Sequence, residues 1–407
     1  MMKSRTASYK AFLVCIACLL ALTPVAAAVS ENLVPDLEVY RRKIPESEAM
    51  QFLQQMGVGW NLGNTFDAHA DYAFRDEMSI ESSWVGVLTS EQIFDVLAQT
   101  GFRTVRIPAS WHNHVNEDFI ISEPWLTRVQ QVVDWALSHG LNVILNTHHD
   151  VDPRYYYPSS TYMETSSRYI QSIWSQLAVR FADYDEHLIF ESMNEPRLKD
   201  TAVEWNFDAE NADCLDAAEC INQLNQLFVD TVRASGGNNA DRYLMIPAYD
   251  AAVWSACDDT FVLPDDAAEN RLIVSVHAYT PYLFALDAGG TSVFSHEALS
   301  QSQEIPVFMN ALYDKYIANG IPVVIGEFGA RDKSGNLASR VDYAAYYTAC
   351  ASARNIPCLW WDNHAFSGNG EKFGLLDRRA FTWRYPEIVE AMMKYAGYLN
   401  IPEAPEN

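Results

Sequence analysis

Two glutamates stand out by their surroundings. Glu195 closes the segment Phe190-Glu191-Ser192-Met193-Asn194-Glu195-Pro196, and Glu327 lies within Val324-Ile325-Gly326-Glu327-Phe328-Gly329. Each follows a short apolar run, which places it at the end of a buried strand. One such glutamate alone reads most simply as a strand-end ion pair. Two in the same setting form a carboxyl pair of the kind that hydrolyses a glycosidic bond. A separation of about 5–5.5 Å gives retention at the sugar carbon, and about 6.5–9.5 Å gives inversion.

The neighbours divide the work between them. Arg106 is expected to hold Glu327 ionised, as a nucleophile must be. Glu195 then lies beside a negative charge that disfavours its own ionisation, so it serves as the acid. Once Glu327 is glycosylated that charge is gone, and Glu195 can act as base. Asn194 is placed for the sugar 2-hydroxyl. Tyr279 is expected to orient Glu327, and His148 and His277 to bind hydroxyls or fix the carboxylates. Trp361 is a candidate floor under the sugar at the cleavage point. His148-His149-Asp150 invites a metal reading. Adjacent side chains on extended chain point to opposite sides, so the two imidazoles are expected to diverge and no metal is assigned.

These residues need a scaffold that brings strand ends together. Runs rich in Val and Ile predict buried parallel strands at Gly57–Leu62, Thr104–Ile107, Asn142–Asn146, Leu188–Met193, Tyr243–Pro247, Ile273–His277, Val323–Glu327 and Cys358–Trp361. Helical patterns fall between them at Ser90–Thr100, Pro124–His139, Thr161–Phe181, Ala217–Ser235, Ile305–Asn319, Ala338–Ala353 and Tyr385–Tyr395. Several end in glycine, as helix C-caps do. The helix after the fifth strand is poorly marked and is expected to be short. This alternation predicts an α/β fold, a single-domain (β/α)₈ TIM barrel. A doubly wound sheet is the rival, but the glycines of Gly57-Val58-Gly59-Trp60-Asn61-Leu62-Gly63 are wrongly spaced for a dinucleotide turn.

Polar groups collect at the C-terminal ends of these strands: Asn61 and Asn64, Arg106, Asn146 with His148 and His149, Asn194 with Glu195, His277 with Tyr279, Glu327, and Trp361-Asp362-Asn363. In a (β/α)₈ barrel that end is the active face.

Composition sets the outer bounds. The chain has 407 residues, 49% of them hydrophobic, enough for a large core. The 11 Trp and 21 Tyr mostly build that core, and a few are available to stack on sugar faces. A net charge of −25 repels nucleic acid and anionic membranes but tolerates a neutral polymer. Lys3, Arg5 and Lys10 followed by the apolar Ala11–Leu22 and by Ala26-Ala27-Ala28 read as a secretory signal cleaved after Ala28. Residues 1–28 are therefore assigned to the signal, 29–46 to a short polar lead and 47–400 to one catalytic domain. The mature chain is expected to be a secreted or periplasmic monomer, free of the membrane. Of seven cysteines, Cys15 and Cys18 leave with the signal. Cys214–Cys220 and Cys350–Cys358 are candidate disulfides in an exported protein.

Taken in order, Gly59-Trp60-Asn61-Leu62-Gly63-Asn64, Val105-Arg106-Ile107-Pro108, Asn146-Thr147-His148-His149, Asn194-Glu195-Pro196, His277-Ala278-Tyr279, Gly326-Glu327-Phe328-Gly329 and Trp360-Trp361-Asp362-Asn363 resemble glycoside hydrolase family 5 over about residues 50–395. Asn194-Glu195-Pro196-Arg197, Ser275–Tyr282 and Lys372–Arg378 are similar to its subfamily 4. That resemblance implies a retaining β-1,4-glycanase without cofactor, and active-site roles for Arg106, His148, Asn194, Glu195, His277, Tyr279, Glu327 and Trp361. It further implies an endoglucanase acting on cellulose, mixed-linkage β-glucan and xyloglucan. His364-Ala365-Phe366 and the acidic, cysteine-bearing Asn206–Cys220 segment depart from the family pattern and bear on substrate range. A β-mannanase, and a non-catalytic glycan-binding protein on the same scaffold, are the alternatives.

Overall fold

A computed structural model describes residues 33–70, 76–333 and 335–405. The secretory-signal segment, and the first residues of the lead, lie outside the described residues.

Eight parallel strands close into a barrel in chain order: β1 (Val58–Leu62), β2 (Thr104–Ile107), β3 (Asn142–Asn146), β4 (Leu188–Glu191), β5 (Leu244–Ala252), β6 (Leu272–His277), β7 (Val323–Phe328) and β8 (Cys358–Asp362). β8 returns to β1 over five residue pairs, from Val58 opposite Cys358 to Leu62 opposite Asp362. Both faces of these strands are covered, which is why they read as continuous apolar runs. The barrel is packed tightly at its seams. A Cβ added to Gly59 would lie 2.4 Å from Leu359 Cγ and 2.8 Å from the Thr104 carbonyl, so only glycine fits there.

The helices are α1 (Glu48–Met56), α2 (Glu91–Thr100), α3 (Glu123–Ser138), α4 (Met163–Arg180), α5 (Ala212–Ala234), α6 (Val253–Cys257), α7 (Tyr282–Ala285), α8 (Leu299–Ser302), α9 (Glu304–Lys315), α10 (Leu337–Ser352) and α11 (Pro386–Lys394). At the end of α2, Gly101 takes φ +111° and its N–H reaches the Leu97 and Ala98 carbonyls, a left-handed cap open to glycine. The helix after β5 is the five-residue α6, as short as its weak pattern implies. A short antiparallel pair, β9 (Leu376–Asp377) with β10 (Thr382–Trp383), follows β8.

Several boundaries moved. The sequence reading has no helix at 48–56. Ser47 caps one there, its hydroxyl accepting from Met50 N–H, and Ala49, Met50, Phe52, Leu53 and Met56 are buried. The helix expected from Ala217 starts five residues earlier, because Asn211 Oδ1 accepts from the N–H groups of Asp213 and Cys214.

That shift corrects the disulfide expectation. Cys214 and Cys220 both lie on α5, six positions apart, which is about 9 Å of helix rise and beyond the reach of a disulfide. Cys350 and Cys358 are also free thiols. Cys350 on α10 interacts with Tyr346 and Arg354, and Cys358 at the start of β8 interacts with Thr348, so the two sulfurs have separate partners.

The lead is no loose tether. Leu37 N–H donates to Tyr395 Oη at 3.0 Å, and Tyr395 Oη donates to the Pro35 carbonyl at 2.6 Å. Arg41 N–H reaches the Pro402 carbonyl at 2.9 Å, and Arg42 N–H the Ala353 carbonyl at 2.7 Å.

Candidate active site

Arg106 is the hub. It lies on β2 between Asn61 of β1 and Ile144 of β3 and is fully buried. A buried guanidinium is tolerated only when its donors are used. Here Nη1 donates to Glu327 Oε1 at 2.7 Å and Asn61 Oδ1 at 3.1 Å, Nε to Glu191 Oε2 at 2.8 Å, and Nη2 to Asn194 Oδ1 at 2.7 Å. Burial works against its charge, but Glu191 and Glu327 outweigh that and raise its pKa. One cation thus fixes one carboxylate of the expected pair and the amide beside the other.

Each partner is held from behind. Asn61 Nδ2 donates to the Gly326 carbonyl at 2.9 Å, tying β1 to the residue before Glu327. Tyr279 Oη donates to Glu327 Oε2 at 2.8 Å. Burial and the Glu327 charge push the phenol far above its ordinary pKa, so it stays a donor. Both Glu327 oxygens therefore accept hydrogen bonds. Asn194 gives its oxygen to Arg106, which leaves its NH₂ facing away from the guanidinium.

Glu195 sits differently. Oε1 lies 2.8 Å from His277 Nδ1, and that nitrogen is 3.7 Å from Glu327 Oε1. One oxygen of each glutamate and a His277 nitrogen all fall within 4.8 Å of one another. Arg197 bonds the Glu195 carbonyl through Nη1 at 2.9 Å and Glu204 through Nε at 3.1 Å, and stacks 4.0 Å over exposed Trp205. Burial pushes the Glu195 carboxyl up, while the His277 hydrogen bond and charge pull it down, to about 2. Burial likewise opposes a charge on His277, but Glu327 and Glu195 raise its pKa. Ring and carboxyl hold a proton jointly. This corrects the expectation that the Glu327 charge alone keeps Glu195 protonated: an imidazole stands between them.

His148 is buried, its Nδ1 3.1 Å from Asn146 Nδ2, and its ring lies parallel to Trp361, centroids 5.7 Å apart. Trp361 lines the end of β8, and Gly63 is pressed against it: a Cβ there would approach Trp361 Cζ2 to 2.9 Å. His149 packs against His148, His69 and exposed Trp84. The two imidazoles do not diverge, because β3 stops at Asn146. Beyond it, backbone bonds to Ala109 O and Ser110 Oγ fold the chain so that the ring centroids lie 4.4 Å apart. With Asp67 they offer three ligand atoms within 4.8 Å. Burial keeps both rings neutral, His149 down to about 3, so a divalent cation could take this donor set.

The sequence reading assigned no role to Glu191. It is fully buried and accepts from Arg106, from Asn146 Nδ2 at 3.0 Å and from Ser275 Oγ at 2.5 Å. Its signal was present: a carboxylate inside Leu188-Ile189-Phe190-Glu191 cannot be buried without a partner. Asp362, at the end of β8, faces the scaffold instead. It accepts from Trp60 Nε1 at 2.9 Å and from the Leu375 and Leu376 N–H groups at 2.9 and 2.8 Å.

A sequence profile of the cellulase family, glycosyl hydrolase family 5, matches residues 67–367. This chain belongs to glycoside hydrolase family 5. It is 42% identical to Endoglucanase 1 of Ruminococcus albus over 86% of this chain and 82% of that one. A family 5 lichenase from Caldicellulosiruptor sp. F32, solved with cellotetraose, superposes with a TM-score of 0.88 at 54% identity, covering 89% of this chain and 99% of that one. A GH5-4 broad-specificity endoglucanase from Ruminococcus champanellensis with bound cellotriose gives 0.80 at 41% identity, over 87% and 100%. The profile takes in Arg106, Glu195, Glu327 and Trp361 and begins beyond Asn61, so the β1 contribution rests on geometry. As a family 5 glycoside hydrolase the enzyme cleaves β-glucan by the barrel's C-terminal face.

Proposed function

We propose that this family 5 enzyme is a secreted, retaining endo-β-1,4-glucanase that acts on cellulose, mixed-linkage β-glucan and xyloglucan by double displacement. The observation that carries the mechanism is the asymmetry of the pair. Glu327 is clamped by two donors, Arg106 and Tyr279, and Glu195 is bonded to a titratable ring.

In the first step a Glu327 oxygen attacks the anomeric carbon while the Glu195 proton passes to the leaving oxygen, and the glycosidic bond breaks. Arg106 and Tyr279 orient the nucleophile and keep it ionised. Forming the ester removes the Glu327 charge, which weakens the hold of His277 on its proton. Glu195, now a carboxylate, takes a proton from water, whose oxygen attacks the same carbon and frees Glu327. The Asn194 NH₂ is available to the sugar 2-hydroxyl, and Trp361 with parallel His148 forms an aromatic wall at the cleavage point. The nearness of the carboxyls supports retention. Trp84 and Trp205 offer exposed faces on which further glucose rings stack. The relatives' names and the length of the sequence match support a glucan substrate, and the basic-apolar N-terminus supports export.

The test is Glu327→Gln with Glu195→Gln. The first is expected to abolish hydrolysis of carboxymethyl cellulose and xyloglucan, and the second to be partly rescued by an aryl glycoside with a good leaving group. Product NMR should show the β-anomer first; an α-anomer first would reject the double displacement. A panel of cellulose, barley β-glucan, xyloglucan, xylan and mannan, with product sizes followed in time, reads substrate range and endo action. Dominant mannan cleavage would make it a β-mannanase.

A further inference from the structure

Strand β5 ends irregularly beside the acid/base. It pairs with β6 in register from Leu244 to Pro247, then shifts before Ala252 meets His277. Within the shift, Asp250 and Ala251 take φ +58° and +47°. Two successive non-glycine residues in the left-handed region persist only where the surroundings enforce them, and such places gather at working sites. The Asp250 N–H donates at 2.8 Å to the carbonyl of Pro196, the residue after Glu195. Its Oδ1 is buried with no hydrogen-bond partner among the described residues.

The groups around that carboxyl are mostly of its own sign. Glu195 and Glu204 with Arg197 face it from the segment after β4, and Glu327 from β7. Through Glu195 the cluster extends to His277 of β6 and His149 beyond β3. Burial first, and then the Glu195 charge, push Asp250 well above the ordinary carboxyl range. Two like-charged carboxyls that cannot both ionise titrate as a pair.

We propose that Asp250 is a positioning residue for the acid/base, forming with Glu195 a carboxyl pair that keeps one proton beside the scissile bond. This rests on Glu195 being the acid/base. The pair loses its first proton at low pH and holds its second to higher pH. While that proton remains, Glu195 can carry it in the first step and recover it from water in the second. Asp250 itself makes and breaks no bond. The alkaline limit of activity then belongs to the pair and not to Glu195 alone.

The experiment is the pH dependence of kcat/KM on cellotetraose for wild type, Asp250→Asn and Asp250→Gly. Asparagine and glycine both accept the left-handed backbone, so each keeps the turn while deleting the carboxyl. The alkaline limb is expected to move down by about one pH unit in both variants, the scale on which coupled carboxyls separate. The plateau rate should change only a few-fold. With a dinitrophenyl cellobioside, whose leaving group needs no proton, glycosylation should keep its wild-type alkaline limb. A purely structural Asp250 would lower the plateau or the melting temperature and leave the limb in place, and an unmoved limb in both variants overturns the proposal. Glu195→Gln separates the two readings. If that variant keeps full activity on cellotetraose, the assignment of the acid/base fails whatever Asp250 does.

Discussion

Replacing Glu191 by Gln tests whether a residue outside the carboxyl pair holds the site together. Glu191 Oε2 accepts from Arg106 and Asn146, and Oε1 from Ser275. The carboxamide has one tolerable orientation. Its NH₂ must take the Oε1 place, where the Ser275 hydroxyl can turn to accept, since at Oε2 it would meet only donors. The variant then keeps the shape and loses the charge. Arg106, with no exposed surface, is left with Glu327 as its only anion. Each charged hydrogen bond made neutral costs about 1 kcal/mol. A fully broken buried pair costs about 3–5 kcal/mol. The expected loss is therefore about 2–5 kcal/mol. At about 2.1 cal/mol/K of unfolding entropy per residue, a chain this long loses roughly 1 °C per kcal/mol, so calorimetry should show the melting temperature lower by about 2–6 °C. Because Arg106 also orients Glu327, kcat on an aryl cellobioside should fall about 10–100-fold, the weight of one or two charged hydrogen bonds in the transition state. A variant that melts within a degree of wild type and turns over at the wild-type rate would refute the idea that Glu191 anchors Arg106.

Other perturbations follow the same physics. Tyr279→Phe deletes one charged hydrogen bond to Glu327 worth about 1.5–3 kcal/mol, so kcat should fall about 10–150-fold, and a near-normal kcat would mean the phenol is a bystander. Gly59→Ala should prevent folding or sharply lower the yield of soluble barrel, because the new methyl would overlap Leu359 and the Thr104 carbonyl; a soluble variant with unchanged melting temperature would contradict that packing. His114 stacks on Trp125 with centroids 3.7 Å apart, and burial lowers its pKa to about 4 against a Glu77 hydrogen bond that raises it. The folded state therefore binds fewer protons than the unfolded one between about pH 6.5 and 4, and stability falls as pH drops through that window. His114→Gln should flatten this part of the melting-temperature profile, and an equal slope in both proteins would assign the acid sensitivity elsewhere. With all five described cysteines free, a reductant should leave the melting temperature unchanged, and a drop would reveal a disulfide.

What could be read from the sequence was whatever depends on local pattern. The eight strands are apolar runs with both faces buried, and their polar ends carry Arg106, Glu195, His277, Tyr279 and Glu327 to one mouth. What escaped depends on tertiary context. Glu191 shares its segment with Glu195, and only the fold shows that one faces Arg106 and the other His277. The convergence of His148 and His149 depends on where β3 stops, which is set by bonds to Ala109 and Ser110 from another loop. The cysteine spacing suggested a short bridge because the acidic 212–216 stretch looked like loop; an Asn211 cap turns it into helix. Asp250 lies two residues past an expected strand end that in fact runs on to Ala252, and nothing local announces its left-handed backbone.

The stitched lead carries an engineering consequence. Leu37 and Arg41 are bonded to Tyr395 and Pro402, and Tyr398 Oη reaches the Arg42 carbonyl at 2.6 Å. The first and last ordered stretches of the enzyme thus run side by side. A short peptide joining them would span little distance, and the chain could be reopened at an exposed loop elsewhere to give a circular permutant with the barrel intact. Fusion partners attached at either terminus would leave from one shared corner, so a single appended module would meet the same geometry whichever end carried it.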